Sequence, residues 1–206
     1  MKDSPAIETN PTKVALLEAA KAVLLAEGYT GLSTRAIAAA ADTQMSQIRY
    51  HFGSKEGIVL ALFEYMNAQL IQRQTDLFTD PDVAISTKWG IACDYLDADI
   101  RSGYVRVLQE MIAVGWSNPQ IGVAVRTSLN MWARLHLDLT REFTDRHGSL
   151  GPFEAEDIAA LVASVFLGVE ALTLLDYEAP DMPLRRALRR LGEVIRHFET
   201  TQKKAD

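Results

Sequence analysis

The stretch Ser33–Gly57, STRAIAAAADTQMSQIRYHFGSKEG, decides the fold. Ser33 is a hydroxyl cap before an alanine-rich helix that runs to about Ala41. Asp42-Thr43 reads as a tight turn, and a second helix follows from about Gln44 to Phe52. Met45, Ile48 and Phe52 recur at i, i+3 and i+7, which predicts that they face inward. Gln44, Ser46, Gln47, Arg49 and Tyr50 are left outside or at the margins. Gly53 breaks the chain. Ser54 caps the next helix, with Glu56 in its first turn, where the helix dipole favours a carboxylate.

A helix-turn-helix that reads DNA needs a tight turn, small apolar inner faces and an outer row of donors on its second helix. The stretch meets all three requirements. Arg49 can bond guanine in bidentate fashion, Gln44 and Gln47 suit adenine, and Ser46 suits either base. Thr34, Tyr50, His51 and Lys55 are side-chain types that hold phosphates. Lys55 also stands at a helix start, which itself attracts phosphate. Helix pairs of the same spacing occur inside ordinary all-α cores, so spacing by itself leaves both readings open.

Working outward, residues 1–11 are polar, contain Pro5 and Pro11, and read as a flexible arm. A helix is expected from about Thr12, as N-cap, to Glu27, with Leu16, Ala20, Val23 and Leu24 on one face and Gly28 after its end. Beyond Gly57 the helix continues to about Thr75. Five more follow: Val83–Ile100, Gly103–Gly115, Pro119–His147, Phe153–Tyr177 and Leu184–Thr201. No segment alternates with period two. The expected fold is all-α, with about nine helices. It divides into the arm at 1–11, a helix-turn-helix domain at 12–57 and a larger helical domain at 58–206.

The chain has 206 residues, a net charge of −6 and a single cysteine, Cys93. One cysteine excludes an internal disulfide framework and suits a reducing compartment. No run approaches bilayer length and the first residues lack an apolar signal core, so a cytoplasmic protein is expected. Residues 1–57 carry six basic and six acidic side chains; residues 58–206 carry fifteen basic and twenty-one acidic. Any DNA contact must therefore rest on a few well-placed cations, not on a broad basic field.

The run GLSTRAIAAAADTQMSQIRYHFGSKEGIVLALF resembles the N-terminal domain of TetR-type transcriptional repressors. The matching residues are Ala19-Ala20, Gly28-Tyr29, Ser33 through Ile37-Ala38, Ile48, Tyr50-His51-Phe52 and Ser54-Lys55-Glu56-Gly57. The resemblance covers about residues 12–65. It implies a homodimer with a helix-turn-helix near each N-terminus and an all-α ligand-binding domain behind it. By position it implies that Arg35, Ser46, Gln47 and Arg49 lie at base edges, and Thr34, Tyr50, His51 and Lys55 at phosphates. Asp42 replaces the usual glycine of the turn and tolerates its left-handed geometry. Arg49 stands where many relatives carry an aromatic residue.

In that family the last two helices form a four-helix interface with their symmetry mates, and the sequence here allows it. Val162, Val165, Phe166 and Val169 lie on a helix apolar nearly all round, which needs cover on several sides. Leu188, Leu191 and Ile195 stripe the last helix. These seven are the candidate dimer contacts; burial in the chain's own core is the competing reading. Arg185, Arg186, Arg189 and Arg190 read as a solvated face. Candidate effector-pocket residues are Trp89, Cys93, Tyr104, Met111, Trp116, Met131, Trp132 and His136. Gln109 and Glu110 join them, because polar groups inside the apolar run VRVLQEMIAVGW need partners.

No metal or cofactor is expected: His51, His136, His147 and His197 are scattered and Cys93 has no neighbouring ligand. Asp94, Asp97 and Asp99 suggest an acidic magnesium cluster, but Asp99 leaves the shared face. The expectation is a DNA-binding regulator and not an enzyme. Its most natural form is a homodimeric repressor released from a palindromic operator by a small, largely apolar ligand. A DNA-binding dimer without an effector, and an activator, are the alternatives.

Overall fold

A computed structural model of the chain describes residues 10–148, 150–177 and 181–202. Among these residues it is all-helical, with nine helices. They are α1 (Pro11–Gly31), α2 (Thr34–Ala40), α3 (Met45–Phe52), α4 (Lys55–Phe78), α5 (Ile85–Ser102), α6 (Tyr104–Gly115), α7 (Pro119–His147), α8 (Ala155–Leu174) and α9 (Leu184–Gln202). Two compact units result. One holds the residues up to Gln69 together with Arg106–Thr127; the other holds Leu70–Val105 and the residues from Ser128 on.

The first unit forms around α1, α2 and α3. Leu16, Ala20, Leu24, Ile37 and Ile48 are buried, joined by Ile58, Leu62 and Phe63 from α4 and by Met111 and Ile121. Each buried Leu or Ile contributes about 1.5–3 kcal/mol. Pro11 stands at the first position of α1, and the Thr12 N–H donates to Asn10 Oδ1 at 2.9 Å. Asn10, not Thr12, is therefore the cap, and the expected arm is helix-forming at its end; its residues 1–9 lie outside the described residues. A Pro at the first helical position needs no partner for its missing N–H, which is why the helix starts there. Gly28 (φ 67°, ψ −179°) kinks the end of α1.

In the second unit α5 packs chiefly on α9. Trp89 Nε1–H donates to the Leu188 carbonyl at 2.8 Å, and Ser86 bonds Glu199 through both its amide (3.0 Å) and its hydroxyl (2.5 Å). Arg189 pairs with Asp94 and Asp97, at 2.8 and 2.6 Å, and Arg185 pairs with Asp97. Half of the expected solvated arginine face is thus an ion-pair seam. The acidic run belongs to the same seam, while Asp99 pairs with Arg73 elsewhere. Among the described residues no three His, Cys, Asp or Glu side chains gather as metal ligands would.

Helix α8 starts two residues later than its apolar pattern, because Glu154 and Asp157 form a capping box and Phe153 lies in the turn. By length and composition it could cross a bilayer, contrary to the expectation that no run would. Its inner side carries Phe166, Val169 and Glu170 into the core, while Leu161 and Val165 are exposed.

Candidate nucleic-acid interface and effector cavity

The turn between α2 and α3 is closed by backbone bonds. Ser33 Oγ accepts the Ala36 N–H at 3.1 Å and starts α2. At its end the Thr43 N–H donates to the Ala38 carbonyl at 2.9 Å and the Asp42 N–H to the Ala39 carbonyl at 3.3 Å. Asp42 adopts φ 48°, so this is a Schellman ending with aspartate in the place that usually takes glycine. After α3, Gly53 turns with φ 76° and the Gly57 N–H donates to Ser54 Oγ at 3.1 Å. A Cβ on Gly57 would lie 1.9 Å from the Phe52 carbonyl oxygen. Glycine is required there because α4 begins against the last turn of α3.

Ile48 is fully buried and fixes the roll of α3. Gln44, Ser46, Arg49 and Tyr50 are exposed, Tyr50 to 80%, and Arg35 of α2 is exposed as well. Thr34, Gln47, His51 and Lys55 are half-buried. Neither α2 nor α3 carries an acidic residue. Gln44 occupies the N-cap position of α3 without a side-chain cap bond, while its carbonyl accepts the Gln47 N–H at 3.0 Å. Met45 departs from expectation: it is 53% exposed, because Ile48 alone reaches the core from the middle of this short helix.

Lys55 does more than its sequence position suggests. Its Nζ donates to the Tyr29 carbonyl at 2.8 Å and lies 4.3 Å from the centroid of the Tyr29 ring. The Tyr29 N–H in turn donates to Glu110 Oε2 at 3.4 Å, and Arg106 holds the same carboxylate at 2.9 Å. Burial, and then the Glu56 charge, push the Tyr29 phenol up. The end of α1 is thereby gripped on both sides, by α4 and by α6. Glu110 was expected in a pocket; it is this grip instead.

The second unit contains an apolar cavity of about 110 Å³. Phe78, Ile85, Trp89, Ala92, His136, Leu139, Thr140, Phe143, Leu150, Ile158, Val162, Phe166, Val194, Ile195 and Phe198 line it. Of the expected pocket residues, Trp89 and His136 are in this wall, and Trp132 stands behind it with its ring 4.3 Å from that of His136. Cys93 and Tyr104 are buried outside the wall. Burial raises the Cys93 thiol to about 11. Met111, Gln109 and Glu110 belong to the first unit. Trp116, in the turn after α6, is 83% exposed, and Met131 on α7 is exposed too. Of the candidate dimer contacts, Phe166, Val169 and Leu188 are buried within the chain, Val162 and Ile195 line the cavity, and Val165 and Leu191 are exposed.

A short helix pair with an exposed donor row, followed by a helical unit with its own cavity, defines an all-α helix-turn-helix DNA-binding protein. Residues 16–62 match the model of the tetR family of bacterial regulatory proteins. Residues 16–62 thus carry the N-terminal domain of that family, and the chain is similar to HTH-type transcriptional regulators over most of its length. It is 28% identical over 129 residues to the HTH-type transcriptional repressor NicS of Pseudomonas putida, a match spanning 61% of this chain and 57% of that protein. It is 25% identical over 204 residues to the HTH-type transcriptional regulator UidR of Escherichia coli, spanning 84% and 96%. A solved transcriptional regulator from Rhodococcus sp. Rha1 shares the fold, with a TM-score of 0.72 at 19% identity over 89% of this chain and 95% of that one.

Proposed function

We propose that the chain is a cytoplasmic homodimeric repressor that leaves a palindromic operator when a small, largely apolar molecule enters the cavity of the second unit. The observation that carries the DNA part is the exposed row of Gln44, Ser46, Arg49 and Tyr50 on α3, held outward by Ile48. Arg49 and Gln47 read base edges with Arg35, while Thr34, His51 and Lys55 hold phosphates. Two such helices enter successive major grooves about 34–36 Å apart. The exposed apolar side chains Leu161, Val165, Leu175 and Leu191 on and just after α8 and on α9 support the dimer. A cavity lined by fifteen residues, none of them charged, supports an apolar effector.

Selection of bound sequences from random DNA tests the reading. An inverted repeat with half-sites one helical turn apart is expected. Arg49→Ala lowers affinity by about 1–3 kcal/mol and relaxes preference at one position of each half-site. Recovery of unrelated single sites would sink the dimeric reader.

A further inference from the structure

The cavity wall holds three polar side chains, Trp89, His136 and Thr140. Each has its hydrogen already engaged. The Trp89 indole N–H donates to the Leu188 carbonyl at 2.8 Å. The Thr140 hydroxyl donates to the His136 carbonyl at 2.8 Å. His136 Nδ1 lies 3.0 Å from the Trp132 carbonyl, and since a carbonyl can only accept, Nδ1 is the protonated nitrogen. Nε2 on the far edge of the ring is then a bare lone pair, bonded to no described residue. His136 is only 5% exposed. Its ring is fixed edge-on to Phe78 at 5.3 Å and against Trp132 at 4.3 Å. Burial lowers its proton affinity and keeps the imidazole neutral.

An acceptor set in an apolar wall gains from a donor, and the wall contains no side chain to supply one. We infer that the cavity takes a single-ring aromatic ligand bearing one hydroxyl or N–H donor, whose hydrogen is accepted by His136 Nε2. The inference rests on the reading of this cavity as the effector site. Size agrees with it: about 110 Å³ is close to the ~150 Å³ of an engineered apolar cavity that holds benzene. Aromatic side chains such as Phe143, Phe166 and Phe198 give the ring edge and face contacts. An anionic ligand is excluded by chemistry, since no lining side chain is a cation to pair with it.

The test uses the full chain without DNA and two isosteric probes, phenol and toluene. Calorimetric titration should show that His136→Phe lowers the affinity for phenol, relative to that for toluene, by about tenfold. In the unaltered chain the nitrogen-15 resonance of His136 Nε2 should move with phenol and stay with toluene. An unchanged affinity ratio, or an unmoved Nε2 resonance at saturating phenol, overturns the donor rule. If neither probe binds at millimolar concentration, the cavity is no ligand site and the effector reading falls with the inference. If phenol binds through Nε2 but operator DNA stays bound, the ligand chemistry holds and only the release mechanism fails.

Discussion

Replacing Lys55 by methionine separates two jobs that one ammonium performs. Methionine keeps the length of the stem and removes the charge. In the free protein the ammonium makes a 2.8 Å bond to the Tyr29 carbonyl and a 4.3 Å contact with the Tyr29 ring. A hydrogen bond from a charged donor is worth about 1.5–3 kcal/mol and an exposed cation–π contact about 0.5–1 kcal/mol. The two share one group and are not additive, and Lys55 is half-buried, so water replaces part of what is lost. A loss of about 1–2 kcal/mol is expected in urea unfolding. On DNA the same ammonium is assigned one phosphate. Each phosphate contributes about 0.9 to the slope of log affinity against log salt, so a dimer should lose about 1.8. Fluorescence anisotropy on one operator across a salt series measures this. Lys55→Arg keeps the charge and should keep the slope. A slope unchanged in Lys55→Met refutes the phosphate contact and leaves Lys55 as a strut between α4 and the end of α1.

The remaining predictions concern packing, pH and assembly. Gly57→Ala places a Cβ 1.9 Å from the Phe52 carbonyl oxygen, so α4 must move away from α3; about 1–3 kcal/mol of stability and most operator affinity should be lost, as read by urea unfolding and footprinting. His136 is held neutral by burial, its pKa lowered from the usual 6.5. The unfolded chain therefore takes up a proton near that pH that the folded chain refuses. Stability should fall as pH drops below about 6.5, by up to about 1.4 kcal/mol per pH unit, and the fall should shrink in His136→Phe; denaturant titrations at a series of pH values check it. Leu161→Glu, at a position 55% exposed in the single chain, should give a folded monomer in ultracentrifugation; a dimer that survives moves the interface elsewhere.

The helix-turn-helix was legible in the sequence because its instructions are local. Ser33 and Ser54 cap within three residues, Asp42 carries the left-handed turn, and Ile48 anchors a helix of eight residues. What the sequence hid depends on distance along the chain. Asp97 meets Arg185 and Arg189 across some ninety positions, so an acidic run that suggested a metal site is half of an ion-pair seam. Glu110 reaches back to Tyr29 over 81 positions. The cavity was hidden for another reason. A cavity is a place where packing stops, and its wall is built of the Phe, Leu, Ile and Val that fill any core. Of the unusual residues, Trp89 and His136 lie in the wall, Trp116 and Met131 are exposed, and Cys93, Tyr104 and Met111 are buried outside it. The usable signal was Trp132 and His136 one turn apart on a helix, with no acidic residue beside them.

The wall and the outward apolar face share α8 and α9. On α8, Val162 and Phe166 line the cavity while Leu161 and Val165, their immediate neighbours in sequence, are exposed. On α9, Ile195 lines it beside the exposed Leu191, and Val194 does both. A tightly packed helix cannot yield on one side and keep its place on the other, because its side chains interlock at near-crystalline density. A ligand that presses on Val162, Phe166 or Ile195 would therefore shift the helices that carry the proposed partner contact. Such a shift changes DNA affinity only if the ligand binds the two dimer geometries unequally. The proposed bond to His136 Nε2 would supply that inequality: in a geometry where α7 and α8 move apart, a ring could stay in contact with one wall or keep its hydrogen bond, but not both.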